Sequence, residues 1–229
     1  MAIVKKYRSE VVAVENPVSD IRTVTLRPLE KAYKYNPGQF LHLALDEFDP
    51  ARPWPESRCF SMQSSPDQET IKITFAEKGK FTARMARELA PGKVIYVKLP
   101  YGDLFSIAHN TQKTVFVAGG TGITPFLSLF TSPEFAAYQN PSLYFGLRSL
   151  SHHLYAADLE KALGVNPSFS VKLQNEEKDG RLDIQKIFGE NGPSAVYFIS
   201  GPPVMIKSFK SFLASNGVPP ENIRTDDWE

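Results

Sequence analysis

A glycine-rich turn is the segment of this chain whose residue types point most directly to chemistry. Residues 119–125 read Gly-Gly-Thr-Gly-Ile-Thr-Pro and follow the apolar run of residues 114–118. Glycine lets the backbone turn tightly and come close to a ligand. We expect Thr124 to cap the following helix and Pro125 to be its first residue, since proline has no N–H to leave unpaired there. The free N–H groups and the dipole of such a helix attract an anion, so the sequence predicts a pyrophosphate site.

An upstream tetrapeptide, Arg58-Cys59-Phe60-Ser61, carries a second residue suited to phosphate. The guanidinium of Arg58 can offer a bidentate fork. On a strand, Phe60 shares a face with Arg58, whereas Ser61 turns the other way and can offer its hydroxyl or its backbone to a ring nitrogen. The alternative is a surface arginine beside a core phenylalanine.

Two further segments are candidates for the same kind of contact. In Gly79-Lys80-Phe81-Thr82 we expect Thr82 to be a helix N-cap, with neighbouring N–H groups that bind phosphate; the alternative is a hairpin turn feeding an ordinary helix. Ser200-Gly201-Pro202-Pro203 combines a rigid turn with a glycine that permits close approach to a flat ligand; the alternative is a simple connector. Two phosphate sites in one chain predict two nucleotides and electron transfer between them.

The elements that position these segments change in type halfway along the chain. In the first half, apolar residues alternate over short runs bounded by Pro, Gly, Asn and Asp, which indicates an antiparallel barrel. We expect strands at 9–15, 21–26, 40–45, 71–76 and 94–99, and one helix over 82–89. In the second half, continuous apolar runs alternate with helical stretches, which indicates a parallel α/β sheet. We expect strands at 115–118, 143–146, 169–173 and 196–199, with helices at 126–130, 153–163, 184–188 and 204–214.

Length and composition fit two domains of ordinary size, which we place at residues 1–108 and 109–229. The formal net charge of +1 favours neither nucleic acid nor an acidic membrane as a partner, and no apolar run is long enough to cross a bilayer. Because residues 1–8 lack the apolar core of a signal peptide, we expect a cytoplasmic protein or a soluble domain that faces the cytoplasm.

Cysteine and histidine usage limits the metal chemistry that we expect. Cys59 is the only cysteine, so the chain forms no internal disulfide and cannot supply the four thiolates that an iron–sulfur cluster usually needs. The four histidines lack the spacing of zinc ligands, so we expect no metal site. We interpret His152-His153 as a solvated helix start.

Taken together in this order and spacing, the four segments resemble the ferredoxin–NADP⁺ reductase superfamily. The family pattern has an Arg-x-Tyr-Ser segment, a Gly-x-x-Ser/Thr helix start, a Gly-Gly-Thr-Gly-x-x-Pro turn and a Cys-Gly-Pro-x-x-Met loop. Pro37-Gly38-Gln39-Phe40 and Pro100-Tyr101-Gly102 are similar to further landmarks of the family. The resemblance spans nearly the whole chain. It implies a six-stranded antiparallel β-barrel that binds flavin, followed by an α/β domain with a parallel sheet that binds NAD(P).

The resemblance also implies roles at the flavin. Arg58 would bind the flavin pyrophosphate, Phe60 would lie against the isoalloxazine or ribityl chain, and Ser61 would contact the ring near N5 as a candidate catalytic residue. The residues that would complete the flavin phosphate site are Gly79, Lys80, Phe81 and Thr82.

At the nicotinamide dinucleotide, the resemblance implies three groups of residues. The pyrophosphate would lie on the glycine turn, at Gly120, Thr121, Gly122 and Pro125. The nicotinamide pocket would be shaped by Gly201, Pro202 and Met205, with Ser200 as a second candidate catalytic residue. The adenosine ribose would meet Arg148 and Ser149, which follow the second strand of this half. The stretch 147–153 has no acidic residue for a ribose hydroxyl, which favours NADPH weakly over NADH.

Three departures from the family pattern bear on function. Phe60 replaces the usual tyrosine, and Arg-x-Phe-Ser also resembles flavin reductases that use free flavin as a substrate. Ser200 replaces the cysteine of the nicotinamide loop. Trp228 could stack on the flavin as a terminal aromatic does in some members, and the alternative is a frayed terminus.

The resemblance therefore implies a flavoprotein reductase that uses FAD and either NADPH or NADH; FMN instead of FAD stays open. Hydride would pass from NAD(P)H to the flavin, and electrons would pass from there to a separate acceptor such as ferredoxin or an oxygenase component. One alternative is an NAD(P)H:flavin oxidoreductase that uses free flavin. Another is a non-catalytic nucleotide-binding subunit, either regulatory or for electron transfer.

Overall fold

The computed structural model describes residues 3–226, and their contacts fall into two units that divide between Asp103 and Leu104. The predicted boundary, after residue 108, lies a few residues further along the chain. No helix within residues 3–226 combines the length and the apolar character needed to cross a membrane. The same residues bring together no three His, Cys, Asp or Glu side chains that could hold a metal ion.

The first unit is a six-stranded antiparallel sheet in the order β4-β3-β6-β1-β2-β5. Its strands are β1 (Lys5–Val18), β2 (Ile21–Pro28), β3 (Phe40–Ala44), β4 (Ser57–Ser61), β5 (Ile71–Ala76) and β6 (Val94–Tyr101). The N–H of Gln63, just after β4, donates to the carbonyl of Lys72 in β5 at 2.8 Å. This bond joins the two edge strands, as the predicted barrel requires.

Alternation along these strands builds a single apolar core inside the sheet. In β5, Ile71, Ile73 and Phe75 are buried and belong to the same cluster as Leu41 and Leu43 of β3. Helix α1 (Lys80–Glu88) packs on this core through its buried residues Phe81 and Met85. On the outer side of this helix, the Arg84 guanidinium forms an ion pair with Asp46, which attaches the helix to the rest of the unit. Within the helix, Nε of Arg84 donates to Glu88 at 2.8 Å.

The second unit is a five-stranded parallel sheet in the order β11-β10-β7-β8-β9, with helices on both faces. Its strands are β7 (Thr114–Gly119), β8 (Ser142–Leu147), β9 (Ser170–Asn175), β10 (Val196–Ser200) and β11 (Ile223–Thr225). Its helices are α2 (Thr124–Phe130), α3 (Ala156–Val165), α4 (Glu176–Asp179), α5 (Ile184–Asn191) and α6 (Pro203–Ser215). Apolar clusters fill the two faces separately.

Four of these five strands were predicted as continuous apolar runs, and burial explains the pattern for the inner strands but not for the edge strand β9, in which no residue is fully buried. In β7 and β10, nearly every side chain is buried, because both strands lie inside the sheet with neighbours on either side. The fifth strand, β11, was missed: its sequence Ile-Arg-Thr is too short to show a periodic pattern. Helix α3 begins at Ala156 and not at His153, because residues 150–152 form a separate 3-10 turn.

A capping aspartate offers a direct test of this part of the fold. Asp183 precedes α5, and its Oδ1 accepts the N–H of Gln185 at 2.8 Å. Replacing Asp183 by alanine removes the acceptor and should lower the free energy of unfolding by about 1 kcal/mol, measured by urea denaturation. Asp183→Asn keeps an acceptor and is the control. Equal stability of the alanine variant and the wild type would show that the cap contributes nothing.

Candidate nucleotide-binding sites

In the first unit, strand β4 places Arg58 and Phe60 on one face. Arg58 lies opposite Leu43 and Phe60 opposite Leu41, two buried residues of β3 that point into the core. The half-buried Phe60 ring packs against Phe75, with ring centroids 6.0 Å apart. The shared face follows from the two-residue period of a strand, as the sequence predicts.

Ser61 and Cys59 occupy the opposite face of the same strand. Ser61 pairs with Phe40 of β3, and Cys59 pairs with His42. The Cys59 sulfur lies 3.6 Å from Nε2 of His42, and burial raises the pKa of the thiol. Cys59 is therefore held as a neutral thiol, and Ser61, half-buried, is the last residue of the strand.

The structure brings two of the predicted flavin segments together. The guanidinium carbon of Arg58 lies 5.0 Å from the centre of the Phe81 ring, in the first turn of α1. This cation–π contact joins the arginine of β4 to the helix start. The positive side chain and the positive end of the helix dipole thus lie side by side, which is the arrangement that a diphosphate requires.

The start of α1 differs from the prediction. Gly79 occupies the N-cap position and Thr82 lies three residues later, so Thr82 as N-cap is wrong. The Thr82 hydroxyl reaches back and accepts the N–H groups of Lys78 and Gly79, each at 3.0 Å. The first bond in the helix direction runs from the N–H of Ala83 to the carbonyl of Gly79. The N–H groups of Lys80, Phe81 and Thr82 precede that bond and are the ones left to bind an anion.

A carboxylate that the sequence reading missed lies at the same place. Nη2 of Arg58 forms a 3.0 Å ion pair with Oε1 of Glu56, and both side chains are more than half exposed. Glu56 is two residues before Arg58, so the period of an extended chain could have indicated the pair. An exposed ion pair of this kind contributes little to stability, so a phosphate can replace the carboxylate beside Arg58. Because the carboxylate competes for the same guanidinium, the affinity for the phosphate is lowered.

In the second unit, the glycine turn follows β7 and runs through a 3-10 segment at Gly120–Ile123 into α2. Gly120 adopts a φ of +56°, a left-handed conformation that favours glycine. Thr124 is the first residue of α2, and its hydroxyl donates to the carbonyl of Thr121 at 2.9 Å. Thr124 is therefore not the predicted cap, and Pro125 is the second helical residue and not the first.

The turn is packed backbone to backbone against the loop after β10. A β-carbon built on Gly122 would lie 2.5 Å from both Cα and N of Gly201. A β-carbon on Gly119 would lie 3.0 Å from Cδ of Pro202 and 3.1 Å from Sδ of Met205. The turn and the loop therefore form one continuous edge. Gly122, Gly201, Pro202 and Met205, which the resemblance assigns to the two halves of a dinucleotide, lie within contact distance there.

Ser200 ends β10 in a buried position. Its hydroxyl donates to Oδ2 of Asp226 at 3.2 Å, and the N–H of Asp226 donates to the carbonyl of Ile199 at 3.0 Å. Sequence reasoning did not find Asp226, because it follows the unpredicted strand β11. Trp228, a predicted flavin contact, lies outside the described residues.

A polar cluster follows β8, next to the glycine turn along the sheet edge. Gly119 and Gly146 are paired in the β7–β8 ladder, so both chains leave the sheet at the same edge. The Ser149 hydroxyl lies 2.9 Å from Nδ1 of His152 and 2.8 Å from the Ser151 hydroxyl. The Arg148 side chain is exposed. Sequence reasoning named Arg148 and Ser149 and missed the other two, because the 3-10 turn that folds them back was not predicted.

The predicted helix start at His152-His153 is wrong. His152 ends the 3-10 turn Leu150–His152, and three residues separate it from α3. The imidazole of His153 is half-buried, and burial lowers its pKa. Its Nδ1 has no hydrogen-bond partner within residues 3–226. The two histidines therefore face different surroundings and can be distinguished experimentally.

Both sites fit a nucleotide diphosphate. In the first unit, Arg58 and the free N–H groups of α1 would supply charge and donors for the diphosphate of FAD. In the second, the Gly120–Gly122 backbone has open space where a β-carbon of Gly120 would stand, with nothing within 4 Å. That space is what a bound pyrophosphate needs to approach the backbone closely.

Known proteins similar to this chain are nucleotide-binding oxidoreductases. Residues 116–211 match the family model of the oxidoreductase NAD-binding domain. The chain is 27% identical over 235 residues to the ferredoxin–NAD(P)⁺ reductase component of the naphthalene 1,2-dioxygenase system of Pseudomonas putida, covering 96% of this chain and 68% of that protein. It is 26% identical over 243 residues to the reductase component of propane 2-monooxygenase from Mycolicibacterium goodii, covering 98% and 68%.

A solved structure extends the likeness to the fold of the whole chain. A ferredoxin–NADP⁺ reductase from Neisseria gonorrhoeae, solved with bound FAD and NADP, superimposes with a TM-score of 0.80 over 99% of both chains. The sequence identity is 17%, so this likeness concerns the fold. The predicted fold class, an antiparallel six-stranded unit followed by a parallel α/β unit, is confirmed.

The contact between Gly122 and Gly201 generates a prediction for the second site. Gly122→Ala places a methyl group where only 2.5 Å separates it from the Gly201 backbone. The two loops must move apart, which should lower the free energy of unfolding by about 1–3 kcal/mol and weaken binding of NAD(P)H. Urea denaturation and a fluorescence titration with the nucleotide measure the two effects.

The control is Gly164→Ala in α3, where nothing lies within 4 Å of the added carbon. That variant should bind as the wild type does and be equally or slightly more stable, since alanine is favoured over glycine in a helix. Unchanged nucleotide binding by Gly122→Ala would show that the close approach of the two loops does not matter for the site.

Proposed function

We propose that this chain is a member of the ferredoxin–NADP⁺ reductase superfamily and the reductase of an electron-transfer system. It oxidises NAD(P)H with the help of FAD and delivers electrons to a separate redox protein, such as a ferredoxin or an oxygenase component. The observation that carries this proposal is the edge formed by Gly122 and Gly201, where a β-carbon on Gly122 would lie 2.5 Å from the Gly201 backbone. The named roles of the relatives, reductase components of dioxygenase and monooxygenase systems, support the choice of acceptor.

In the first unit, the chain's own residues bind and orient the flavin. The Arg58 guanidinium and the first N–H groups of α1 bind the diphosphate. Phe60, held against Phe75, offers an aromatic face to the ring system. The Ser61 hydroxyl donates a hydrogen bond to a ring nitrogen. FAD, when bound, supplies the step between a two-electron donor and one-electron acceptors.

In the second unit, the chain binds and positions NAD(P)H. The glycine turn binds the pyrophosphate through its backbone, and Gly201, Pro202 and Met205 shape the surface for the nicotinamide. The Ser200 hydroxyl already donates to Asp226, so we assign Ser200 the role of holding this loop in place. It acts there as a positioning residue.

These 229 residues contain one cysteine, Cys59, and an iron–sulfur cluster usually takes four thiolates. A cluster that accepts electrons from the flavin would therefore be held by residues other than these.

An anaerobic absorbance spectrum of the purified protein tests the proposal. We expect flavin bands that remain after desalting and that bleach when NADPH or NADH is added. Admitting a redox dye or a ferredoxin should restore them. Bound flavin that neither nucleotide bleaches would contradict the reductase assignment and favour a non-catalytic subunit.

A second candidate function, reduction of free flavin, is favoured by two observations. Arg58 is paired with Glu56 and more than half exposed, and Phe60 lacks the hydroxyl of the family's tyrosine. Both features weaken the hold on the flavin. A protein that is colourless after desalting but oxidises NAD(P)H when flavin is added would support this alternative.

The Glu56–Arg58 pair predicts opposite effects of two substitutions on flavin affinity. Arg58→Ala removes the guanidinium and should weaken flavin binding by at least about tenfold, as loss of a charge-assisted hydrogen bond does. Glu56→Gln removes the competing carboxylate and should tighten binding about two- to fivefold. Fluorescence quenching of FAD by the apoprotein measures both constants. Weaker binding by Glu56→Gln would show that the carboxylate does not compete with the phosphate.

A further inference from the structure

Helix α1 is attached to the rest of the first unit at two points that lie one turn apart. In its first turn, the Phe81 ring centre lies 5.0 Å from the guanidinium carbon of Arg58 in β4. Arg84 follows three residues later and donates to the Asp46 carboxylate through both Nη atoms, with Nη1 at 2.8 Å from Oδ2. Residues three apart lie on the same side of a helix, so one side of α1 carries both contacts.

Both contacts reach the same end of one strand pair. Ala44, the last residue of β3, lies opposite Ser57, which precedes Arg58 in β4. Asp46 comes two residues after Ala44, and the intervening Leu45 is buried in the barrel core. The start of α1 is therefore held between the arginine proposed to bind phosphate and a carboxylate whose backbone is anchored nearby.

The ion pair adds a direction that apolar packing lacks. Phe81 and Met85 hold α1 on the barrel core through apolar contacts, which are non-directional. A bidentate arginine–carboxylate pair has a fixed geometry, so it limits how the helix shifts along its axis or rotates about it. The hydrogen bonds from Arg84 hold the pKa of the Asp46 carboxyl below its usual range, so both partners are charged at neutral pH.

We propose that Asp46 and Arg84 are positioning residues for the flavin diphosphate: their ion pair fixes the first N–H groups of α1 beside Arg58, so that one diphosphate is bound by both. The inference rests on the proposed use of FAD and adds two residues that act on the ligand only through the helix. Hydrogen bonds weaken as the distance and the angle between donor and acceptor depart from their optimum, so a displaced helix binds the phosphate less well.

The sign of the effect distinguishes positioning from charge. Removing a carboxylate near an anion site strengthens anion binding when only its charge acts, as expected for Glu56. Removing the Asp46 carboxylate should instead weaken binding, because the helix loses its attachment. Glu88 provides the comparison: it accepts from Nε of the same Arg84 at 2.8 Å and lies 3.6 Å from Nζ of Lys93, so it acts at the far end of the helix.

Titration of the apoprotein with FAD and with riboflavin tests the proposal without relying on turnover. Riboflavin carries the same ring system and no phosphate, and quenching of flavin fluorescence gives both dissociation constants. We expect Asp46→Asn to bind FAD about two- to fivefold more weakly, the range of a partly exposed ion pair, and to bind riboflavin as the wild type does. Glu88→Gln removes an equal charge beside the same guanidinium and should bind FAD at least as tightly as the wild type.

A double variant keeps the net charge constant. Asp46→Arg combined with Arg84→Asp exchanges the two partners and should restore most of the FAD affinity that Asp46→Asn loses. Far-UV circular dichroism at the temperature of the titration shows whether each variant is folded.

Four outcomes would overturn the inference: FAD bound by Asp46→Asn as tightly as by the wild type, an equal loss of affinity for FAD and riboflavin, an equal loss in Glu88→Gln, or no recovery in the exchanged pair. When the wild type binds FAD and any of these is observed, only this inference fails. A wild-type chain that binds neither FAD nor riboflavin contradicts the proposed function itself.

Discussion

The approach of Gly122 to the Gly201 backbone is the constraint on which the nucleotide edge depends. Strands β7 and β10 are neighbours, and Ala118 lies opposite Ser200 in their ladder. The two chains therefore leave the sheet together and have to turn in the same small space. A side chain on Gly122 would fill that space, at 2.5 Å from Gly201. The glycines are thus required by the packing of one loop on the other, and the proposed nucleotide would bind on the backbone surface that results.

Most of the fold could be predicted because its patterns are local. Ile71, Ile73 and Phe75 alternate with polar residues, and burial in one barrel core is the physical cause. The same reasoning failed where an element was short or a cap was ambiguous. β11 has three residues and is defined by its pairing with β10, which no local pattern contains. Thr82 was mistaken for a cap because a hydroxyl three residues into a helix can reach the same N–H groups.

The sequence could predict which residue types lie in the two sites, but not the contacts that bring these residues together. The sequence shows an arginine and a helix start, but only the closing of the sheet brings Arg58 to Phe81. Asp226 and Ser200 are far apart in the chain and meet because β11 adds to the sheet beside β10. Such contacts arise from tertiary pairing, which a single sequence does not reveal.

The two proposed sites would bind their phosphates by different physical means. Arg58 supplies a full charge that is exposed and already shared with Glu56, so binding there exchanges one anion for another and is weakened by salt. The turn at Gly120–Gly122 supplies backbone donors fixed by packing, so binding there depends on shape. The affinity of the first unit for flavin would therefore decide whether flavin acts as a resident cofactor or as a substrate.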